Sequence, residues 1–370
     1  MFKSTFHNRS VFVTGHTGFK GSWLCHWLLR LGAKVHGYAL DPQPHETLFD
    51  KLQLSSRIMS DVRGDVRDSP SLMTAIQQAE PDFVFHLAAQ PLVRLSFEIP
   101  VDTFATNVMG TVHLLDALRQ WNRPCSVVIV TTDKCYENRE WLHAYREHDP
   151  MGGHDPYSAS KGCAELVVSS YRNSFFGNES CAKESPIKLA SARAGNVIGG
   201  GDWALDRIIP DVFRAIFANQ PVPVRNRTAT RPWQHVLEPL SGYLTLAAAL
   251  DRADGKYCQA FNFGPHLTSN QTVLDVVLET LQKTQGEWVD ASDPNAVHEA
   301  SRLNLAVDKA FHLLGWQPTW NFESTIQKTV DWYVGEHDGA DAGQLTTDQI
   351  EDYEMTSHTA PRDQVQQQTV

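Results

Sequence analysis

The stretch VTGHTGFKGSWL, residues 13–24, places Gly15, Gly18 and Gly21 at a regular spacing of three. It follows the apolar run SVFVTG and leads into SWLCHWLLRLG, whose apolar positions repeat as in a helix. Glycines let the backbone turn tightly and approach a pyrophosphate, and the start of a helix offers unpaired N–H groups and positive potential. The order of strand, glycine loop and helix therefore predicts a dinucleotide-binding loop. The alternative is a plain tight turn.

Further short apolar runs alternate with helical stretches through the first half of the chain. KVHGYAL, DFVFHLAA and SVVIVTT are each bounded by polar residues. Strands that alternate with helices predict an α/β fold, a Rossmann-type doubly wound parallel sheet covered on both faces. Ligands of such sheets bind where the strands end, so the polar residues that follow these runs are candidates for a site.

The pattern loosens in the second half, which predicts a second and smaller unit. We expect a Rossmann domain at 1–190, with a segment near 236–262 returning to it, and an α/β substrate domain at 191–335. An acidic polar tail is expected at 336–370. Within it, TTDQIEDYE is predicted as a short helix and the last ten residues as disordered.

The composition fits a globular protein, since 42% of the 370 residues are hydrophobic and 20% are charged. The net charge of −11 argues against a nucleic-acid partner, and from Glu336 onward eight acids face one base. No run approaches the roughly 20 apolar residues that span a bilayer, and the N-terminus lacks a secretory apolar core. Six cysteines without zinc-like spacing indicate reduced thiols and no metal site. We therefore expect a cytoplasmic protein without a membrane partner.

The loop and the strand ends supply the candidates for dinucleotide contacts. His16 and Lys20 are unusual in a loop that is normally small or apolar, and Lys20 is predicted to point to solvent rather than to a phosphate. Asp41, after the second strand, is the candidate for the adenosine ribose. Asp65 and Val66 are either adenine contacts or part of a surface turn. The full predicted set is Gly15, His16, Thr17, Gly18, Phe19, Lys20, Gly21, Asp41, Asp65, Val66, Leu87, Ala88, Ala89, Tyr157 and Lys161.

Tyr157 and Lys161 are one helical turn apart in HDPYSASKGCAELVVSSY, a helix predicted to start near Pro156. A tyrosine is a poor base at neutral pH, but an adjacent ammonium and a cationic nicotinamide would lower its pKa. The pair could then remove a hydroxyl proton while hydride leaves the same carbon, with Thr132 hydrogen-bonded to the same oxygen. Alone, this spacing is common by chance. After a glycine loop and a polar strand end it predicts a catalytic pair.

The glycine loop, the strand-end threonine, the Tyr157–Lys161 pair and the later LGWQP resemble the extended short-chain dehydrogenases/reductases that act on nucleotide sugars, over roughly residues 8–330. Four longer strings resemble the 4,6-dehydratases of that family: TGHTGFKGSWL, TTDKCYEN, GNVIGGGDW and RPWQHVLEPLSGYL. The resemblance implies NAD as cofactor, CDP-glucose as substrate, and a homo-oligomer, either dimer or tetramer. Neither composition nor spacing identifies the cytosine.

The resemblance also implies an oxidation, an elimination and a reduction within one site. Tyr157 would take the proton of the sugar 4-hydroxyl as hydride leaves C4, and the ketone so formed acidifies the C5 hydrogen. Asp133 would protonate the departing 6-oxygen, which requires a pKa raised by burial. Lys134 stands where related dehydratases carry Glu as the C5 base, so we expect burial to lower its pKa; alternatively it only stabilises the enolate. Ala39 stands where relatives often carry the ribose-binding acid.

Substrate contacts are implied at Asn107, Arg193, Asn196, Asp202, Trp203, Arg207, Arg231 and His235, each with a structural loop role as the alternative. Arg231 and His235 are expected to hold the diphosphate, because guanidinium groups match phosphate oxygens. Trp233 is expected to pack rather than to stack on a base. Three rival functions remain: a nucleotide-sugar 4-epimerase, which needs no Asp133–Lys134 pair, a dehydratase of another nucleotide sugar, and a non-catalytic NAD(P)-sensing regulator. The regulator would be expected to have a broken Tyr/Lys/Thr set.

Overall fold

The computed structural model describes residues 2–43, 47–177, 185–253, 255–292 and 302–359, so the last ten residues, predicted as disordered, lie outside the described part. The strands are β1 (Ser10–Thr14), β2 (Lys34–Ala39), β3 (Ser60–Arg63), β4 (Phe83–His86), β5 (Cys125–Thr132), β6 (Ile187–Ala194), β7 (Val197–Ile198), β8 (Val222–Val224), β9 (Thr230–Pro232), β10 (Gln234–His235), β11 (Ala260–Phe263), β12 (Asn270–Thr272) and β13 (Trp288–Asp290). The helices are α1 (Lys3–Phe6), α2 (Phe19–Arg30), α3 (Leu48–Lys51), α4 (Leu54–Arg57), α5 (Ser69–Ala79), α6 (Val93–Glu98), α7 (Pro100–Phe104), α8 (Gly110–Trp121), α9 (Pro156–Tyr171), α10 (Ile208–Phe217), α11 (Leu237–Arg252), α12 (Val273–Thr284), α13 (Asp308–Leu314), α14 (Phe322–His337) and α15 (Ala342–Thr359).

Seven parallel strands form one sheet in the order β11-β6-β5-β4-β1-β2-β3, which confirms the predicted fold class. From β1 the chain adds strands in one direction through β2 and β3, and in the other through β4, β5 and β6. The carboxyl ends of β1 and β4 therefore border the crevice where the strand order reverses. Sheets of this kind bind their ligands at that crevice.

Both faces of the sheet are covered by helices, which explains why its central strands are apolar along their length. All eight residues of β5 are buried. On one face Val11 of β1 belongs to the same core as Trp23 of α2, and on the other Phe12 belongs to the same core as Leu114 of α8. Removal of apolar surface from water contributes about 25 cal/mol per Å² and holds these layers together.

The helices that carry the predicted site start differently. At the start of α9, the Asp155 side chain accepts from the Ser158 amide at 2.9 Å, and Pro156 takes the first helical position. At the start of α2, Gly18 is an extended N-cap without a capping side chain. The first N–H groups of α2 are therefore left for another acceptor beside the strand ends.

The segments after β6 build a smaller unit next to the strand ends. Its short strands pair two by two, β7 with β10, β9 with β12 and β8 with β13. Val212 of α10, Val222 and Val277 of α12 share a small core of their own. α11 and β11 return to the large sheet, where β11 pairs with β6 and α11 packs on β5 and β6.

The C-terminal helix α15 packs against α2 and is longer than the short helix that the sequence predicts within a polar tail. Ile350 and Tyr353 are buried, and the Tyr353 ring meets Trp27 edge-on. Trp27 Nε1 donates a hydrogen bond to Glu354 at 3.0 Å. The acidic C-terminal charge is therefore carried in part by a helix that covers the core.

Candidate active site

The glycine loop forms a cradle that only glycine backbone can build. Gly15 has a φ of +74°, and a Cβ atom there would lie 2.7 Å from the Ala88 amide nitrogen. A Cβ atom at Gly21 would collide with the Gly15 carbonyl oxygen. Together with the open N-terminus of α2, this close-packed turn fits the pyrophosphate of a dinucleotide such as NAD.

The other loop residues are partly engaged within the protein. The Thr17 hydroxyl donates to the Leu40 carbonyl at 3.1 Å. The His16 ring is fully buried, lies against Gly37 and holds Asp61 Oδ1 at 2.8 Å from its Nε2 atom. Burial lowers the pKa of His16, although the hydrogen bond to Asp61 opposes that effect. Its side chain therefore braces β2 and β3, and only its backbone remains available to a cofactor.

The prediction that Lys20 points to solvent is wrong. The side chain is half-buried and faces the charged groups of the crevice: Arg207, Lys161, Asp133 and Asp202. Burial, helped by the charges of Arg207 and Lys161, lowers its pKa to about 8. The residue directly before Gly21 thus adds a cation to the site rather than to the surface.

The adenosine side of the crevice offers weaker contacts than the loop. β2 ends at Ala39, and the Asp41 side chain is 85% exposed and 3.9 Å from Arg63. Tyr38 donates its hydroxyl hydrogen to the Asp65 carbonyl at 3.0 Å, and Val66 is buried next to it. Asp65 and Val66 are thus held in place by β2, whereas Asp41 lies beyond the strand end.

The residues after β4 form the wall opposite the glycine loop. Leu87, Ala88 and Ala89 follow the strand directly and are half-buried. The Ala88 amide donates to Thr14 Oγ1 at 3.2 Å, and Thr14 Oγ1 lies 2.8 Å from His86 Nδ1. These contacts join the ends of β1 and β4, so that both strands present backbone to the same crevice.

Asp133, at the end of β5, is a buried carboxyl group with one free oxygen. It is 2% exposed, and the Thr132 hydroxyl donates to its Oδ1 atom at 2.9 Å. Its Oδ2 atom is buried and has no hydrogen-bond partner among the described residues. A Cβ atom at Gly195 would lie 2.7 Å from this oxygen, so glycine leaves room for it. Burial raises the pKa of Asp133 against the opposing charges of Lys134 and Arg231, as the sequence-based hypothesis requires of an acid.

Tyr157 and Lys161 lie on the buried side of α9, 8% exposed each. Burial raises the pKa of Tyr157 to about 12, while the Thr132 hydrogen bond and the charge of Arg207 act to lower it. The structure therefore gives the phenol a higher pKa than the sequence predicts, and ionisation near neutral pH needs a further positive charge. Lys134 is half-buried, so burial of this side chain, expected from its role as a base, is only partial.

An ion pair below the catalytic helix was missed by the sequence analysis. Arg193 Nη2 is 2.8 Å from Glu165 Oε2, and both side chains are 4% exposed. Arg193 also donates to the Tyr136 hydroxyl at 2.7 Å. Two of the Arg193 nitrogens are therefore engaged inside the sheet domain, and its substrate contact stays a prediction. The position of Glu165 one turn after Lys161 was the available signal.

The other predicted substrate residues divide into two groups. Asp202, Arg207 and Arg231 belong to the site: Arg207 donates to Asp202 Oδ2 at 2.6 Å and acts on Tyr157, and the charge of Arg231 acts on Asp133. Asn196 is half-buried directly after β6.

The second group is used in packing. His235 is fully buried between the rings of Trp23 and Trp320, which favours the structural role that was its alternative, and its diphosphate contact stays a prediction. The Trp203 ring meets Tyr333 edge-on at 5.0 Å. Asn107 donates to Ser160 Oγ at 2.8 Å and accepts from the Gln90 amide at 2.8 Å, so it fastens α9. Trp233 is 4% exposed, which confirms its predicted packing role.

The site combines a phenol and an ammonium with a buried carboxylic acid and several further cations.

Within the described ranges, no group of three or more histidine, cysteine or acidic side chains could hold a metal ion. In the same part of the chain, no helix is long and apolar enough to cross a membrane. The arrangement suits proton transfer and the binding of an anionic ligand beside a dinucleotide.

The chain is similar to known proteins over most of its length. A sequence model of the family described as GDP-mannose 4,6 dehydratase matches residues 12–329. The CDP-glucose 4,6-dehydratase of Salmonella typhimurium is 49% identical over 353 residues, which cover 95% of this chain and 98% of that protein. The dTDP-glucose 4,6-dehydratase of Streptomyces antibioticus is 30% identical over 338 residues, 88% of this chain and 92% of that protein. The crystal structure of dTDP-glucose 4,6-dehydratase from Bacillus anthracis in complex with NAD shares the fold, with a TM-score of 0.72 and 22% identity over 89% of this chain and 98% of that one.

Proposed function

The chain belongs to the GDP-mannose 4,6-dehydratase family, and from that premise we propose that it converts CDP-glucose into CDP-4-keto-6-deoxyglucose and water with NAD as a recycled cofactor. The choice of CDP-glucose rests on the similarity to the Salmonella enzyme along nearly the whole of both chains. The choice of NAD is supported by the glycine cradle at the end of β1 and by the NAD of the Bacillus anthracis complex.

The proposed reaction needs a cofactor for hydride transfer, and side chains at the end of β5 and the start of α9 for proton transfer. When bound, NAD supplies a hydride acceptor that is restored within each turnover and a positive ring that lowers the pKa of a nearby phenol. Tyr157 takes the proton of the sugar 4-hydroxyl, and the Lys161 ammonium stabilises the phenolate before that transfer. Thr132, whose hydrogen bond lowers the pKa of Tyr157, positions the reacting oxygen.

Asp133 is the observation that favours a dehydratase over an epimerase. An epimerase transfers hydride at one carbon and has no leaving oxygen to protonate. In Asp133 the chain places a buried carboxyl group, with a raised pKa and an unpartnered Oδ2 atom, beside the Tyr157 phenol. A carboxyl that keeps its proton can donate it to the departing 6-oxygen. Arg207 and Arg231 would balance the charge of the diphosphate.

The experiment is a comparison of CDP-, dTDP-, UDP- and GDP-hexoses incubated with the purified protein, with and without added NAD. We expect loss of one water from CDP-glucose by mass spectrometry, and a fall in rate of about 100-fold or more in Tyr157→Phe. In Asp133→Asn the 4-oxidation should persist while loss of water slows. An epimerase would give a product of unchanged mass, and a non-catalytic regulator would bind NAD without turnover.

We propose Lys134 as the group that removes the C5 proton, since it follows Asp133 at the strand end and acts on it electrostatically. The rival is that Lys134 stabilises the enolate while another group takes the proton. A Lys134→Ala variant given the 4-keto sugar nucleotide in deuterated water separates these roles. Loss of deuterium incorporation at C5 supports Lys134 as the base, and normal incorporation removes it from that role.

We propose that the chain forms a homodimer through the outer surface of α6, α7 and α9. α6 and α7 both pack against α9, and their neighbouring surfaces expose large apolar side chains that a monomer would leave in water. These are Phe97, Val101, Phe104, Met109 and Leu166. Analytical ultracentrifugation of Leu166→Glu tests this surface: a shift toward monomer supports it, and an unchanged oligomer contradicts it.

A further inference from the structure

Glu165 is a buried carboxylate that the reaction scheme above does not use. It lies on α9 and both of its oxygens are occupied. Thr131 Oγ1 donates to Oε1 at 2.5 Å, while Ser191 Oγ and Arg193 Nη2 each donate to Oε2 at 2.8 Å. Burial alone would raise its pKa, but the Arg193 charge and these hydrogen bonds overcome it and lower the pKa of Glu165. The group is therefore a fixed negative charge, anchored to β5 and β6.

The charge of Glu165 acts on Lys161, which lies one helical turn earlier on the same buried side of α9. Burial lowers the pKa of Lys161 to about 8, and Glu165 acts in the opposite direction. Among the described residues, the other titratable groups around Lys161 are Tyr157 one turn earlier on α9, Cys135 after β5, His86 at the end of β4 and Lys20 of α2. Burial raises the pKa of Tyr157 to about 12, so the phenol carries no charge near neutral pH. Burial raises the pKa of the Cys135 thiol and lowers that of His86 to about 3, so both are neutral. Lys20 is a second cation, which leaves Glu165 as the ionised acid facing Lys161.

We propose that Glu165 is a positioning residue that keeps Lys161 in its ammonium form below Tyr157. The inference rests on the proposed function, because the ammonium matters through the phenolate that it stabilises. A buried lysine without a nearby anion loses its proton readily. Without Glu165, Lys161 would become neutral at a lower pH, and Tyr157 would lose its stabilising partner there.

Arg193 explains how Glu165 acts without capturing Lys161. A carboxylate without other hydrogen-bond donors would draw the ammonium into a direct ion pair and away from the phenol. Here Thr131, Ser191 and Arg193 already occupy both oxygens, and Arg193 is itself held by Tyr136. The field of the carboxylate reaches Lys161, while three of its roughly four acceptor positions are already taken by donors on the strands.

The direct test is an NMR titration of lysine side-chain nitrogens in the isotope-labelled, substrate-free protein. The Lys161 signal is assigned by its loss in Lys161→Ala. In Glu165→Gln we expect the pKa of Lys161 to fall by about one unit or more, because removal of a nearby anion favours the neutral amine. Glu238→Gln is the matched control, since Glu238 is an equally buried carboxylate on α11 that the scheme does not use. It should leave the Lys161 titration unchanged.

The pH dependence of kcat/KM is a second measurement, and a merely structural role of Glu165 would not shift it. The alkaline limb of kcat/KM should move to lower pH in Glu165→Gln, and Glu165→Asp should restore part of the shift. Glu165→Gln leaves the buried Arg193 guanidinium without its anionic partner, which could prevent folding. In that case the double variant Glu165→Gln/Arg193→Gln removes both charges and should still lower the pKa of Lys161. An unchanged Lys161 titration in either folded variant overturns the proposal. The titration needs no substrate, so failure of the proposed reaction would be recognised separately.

Discussion

Lys20 is the side chain whose surroundings differ most from its sequence context. A lysine in the first turn of a surface loop and helix normally extends into water, where its charge costs nothing. Here α2 turns its first residues toward the strand ends, and Lys20 faces Asp133 and Asp202 as well as two cations. A lysine among further cations is stabilised when an anion binds between them.

We expect Lys20→Met to weaken binding of the diphosphate that contacts it about tenfold to hundredfold, the value of one charge-assisted hydrogen bond. Methionine keeps the length of the side chain and removes its charge. Isothermal titration with CDP and with NAD identifies which ligand loses affinity, and Lys34→Met, an exposed lysine on β2, serves as the control. Equal affinities of both ligands for Lys20→Met and the parent would contradict this role.

For individual residues, the position of a candidate side chain at the site was easier to predict from the sequence than the partners of that side chain. The positions of Gly15, Asp133 and Tyr157 could be predicted because a tight turn, a strand end and a helical spacing are each recognisable from neighbouring residues in the sequence. Arg193 and His235 could not be assigned in this way. Whether a guanidinium or an imidazole meets substrate depends on partners distant in sequence, such as Glu165 for Arg193.

Among the elements, α15 is the one whose place the sequence does not reveal. Its composition is polar, and the burial of its few apolar side chains can be recognised only once the surface of α2 that they contact is known. The strands β1, β4 and β5 at the centre of the sheet were predictable because burial makes them continuous apolar runs, whereas the half-exposed edge strand β3 was not predicted. Pairs of two- or three-residue strands, such as β7 with β10, depend on contacts across the chain and leave no periodic signal.

A chain that ends at Asp341 should lose stability, because it exposes the surface that Ile350 and Tyr353 cover. Burial of two large side chains contributes about 3 kcal/mol or more, so we expect a clear fall in the denaturant midpoint. A chain that ends at Thr359 keeps α15 and is the matched control. Equal midpoints for the two truncated chains would show that α15 contributes nothing to the fold.

The whole molecule is tied together at Glu238, which joins α11 to two later segments. The Trp320 amide donates to Glu238 Oε1 at 2.7 Å, and the Tyr353 hydroxyl donates to Oε2 at 2.7 Å. Burial raises the pKa of Glu238 to about 7, although these hydrogen bonds act against it. This contact could not be predicted from local sequence patterns, because its members are more than eighty residues apart.

A carboxyl group whose pKa is higher in the folded than in the unfolded protein stabilises the fold at low pH. The contribution of Glu238 should therefore be complete below about pH 4.5, its ordinary pKa, and decline as the pH rises to about 7. The upper bound of this decline is about 3 kcal/mol. In Glu238→Gln, denaturant unfolding should lose this part of its pH dependence, because glutamine does not titrate yet still accepts from Trp320. Glu323→Gln, an exposed site on α14, should retain the parent profile. If Glu238→Gln also retained it, Glu238 would not be the titrating group that couples the C-terminal helices to the sheet.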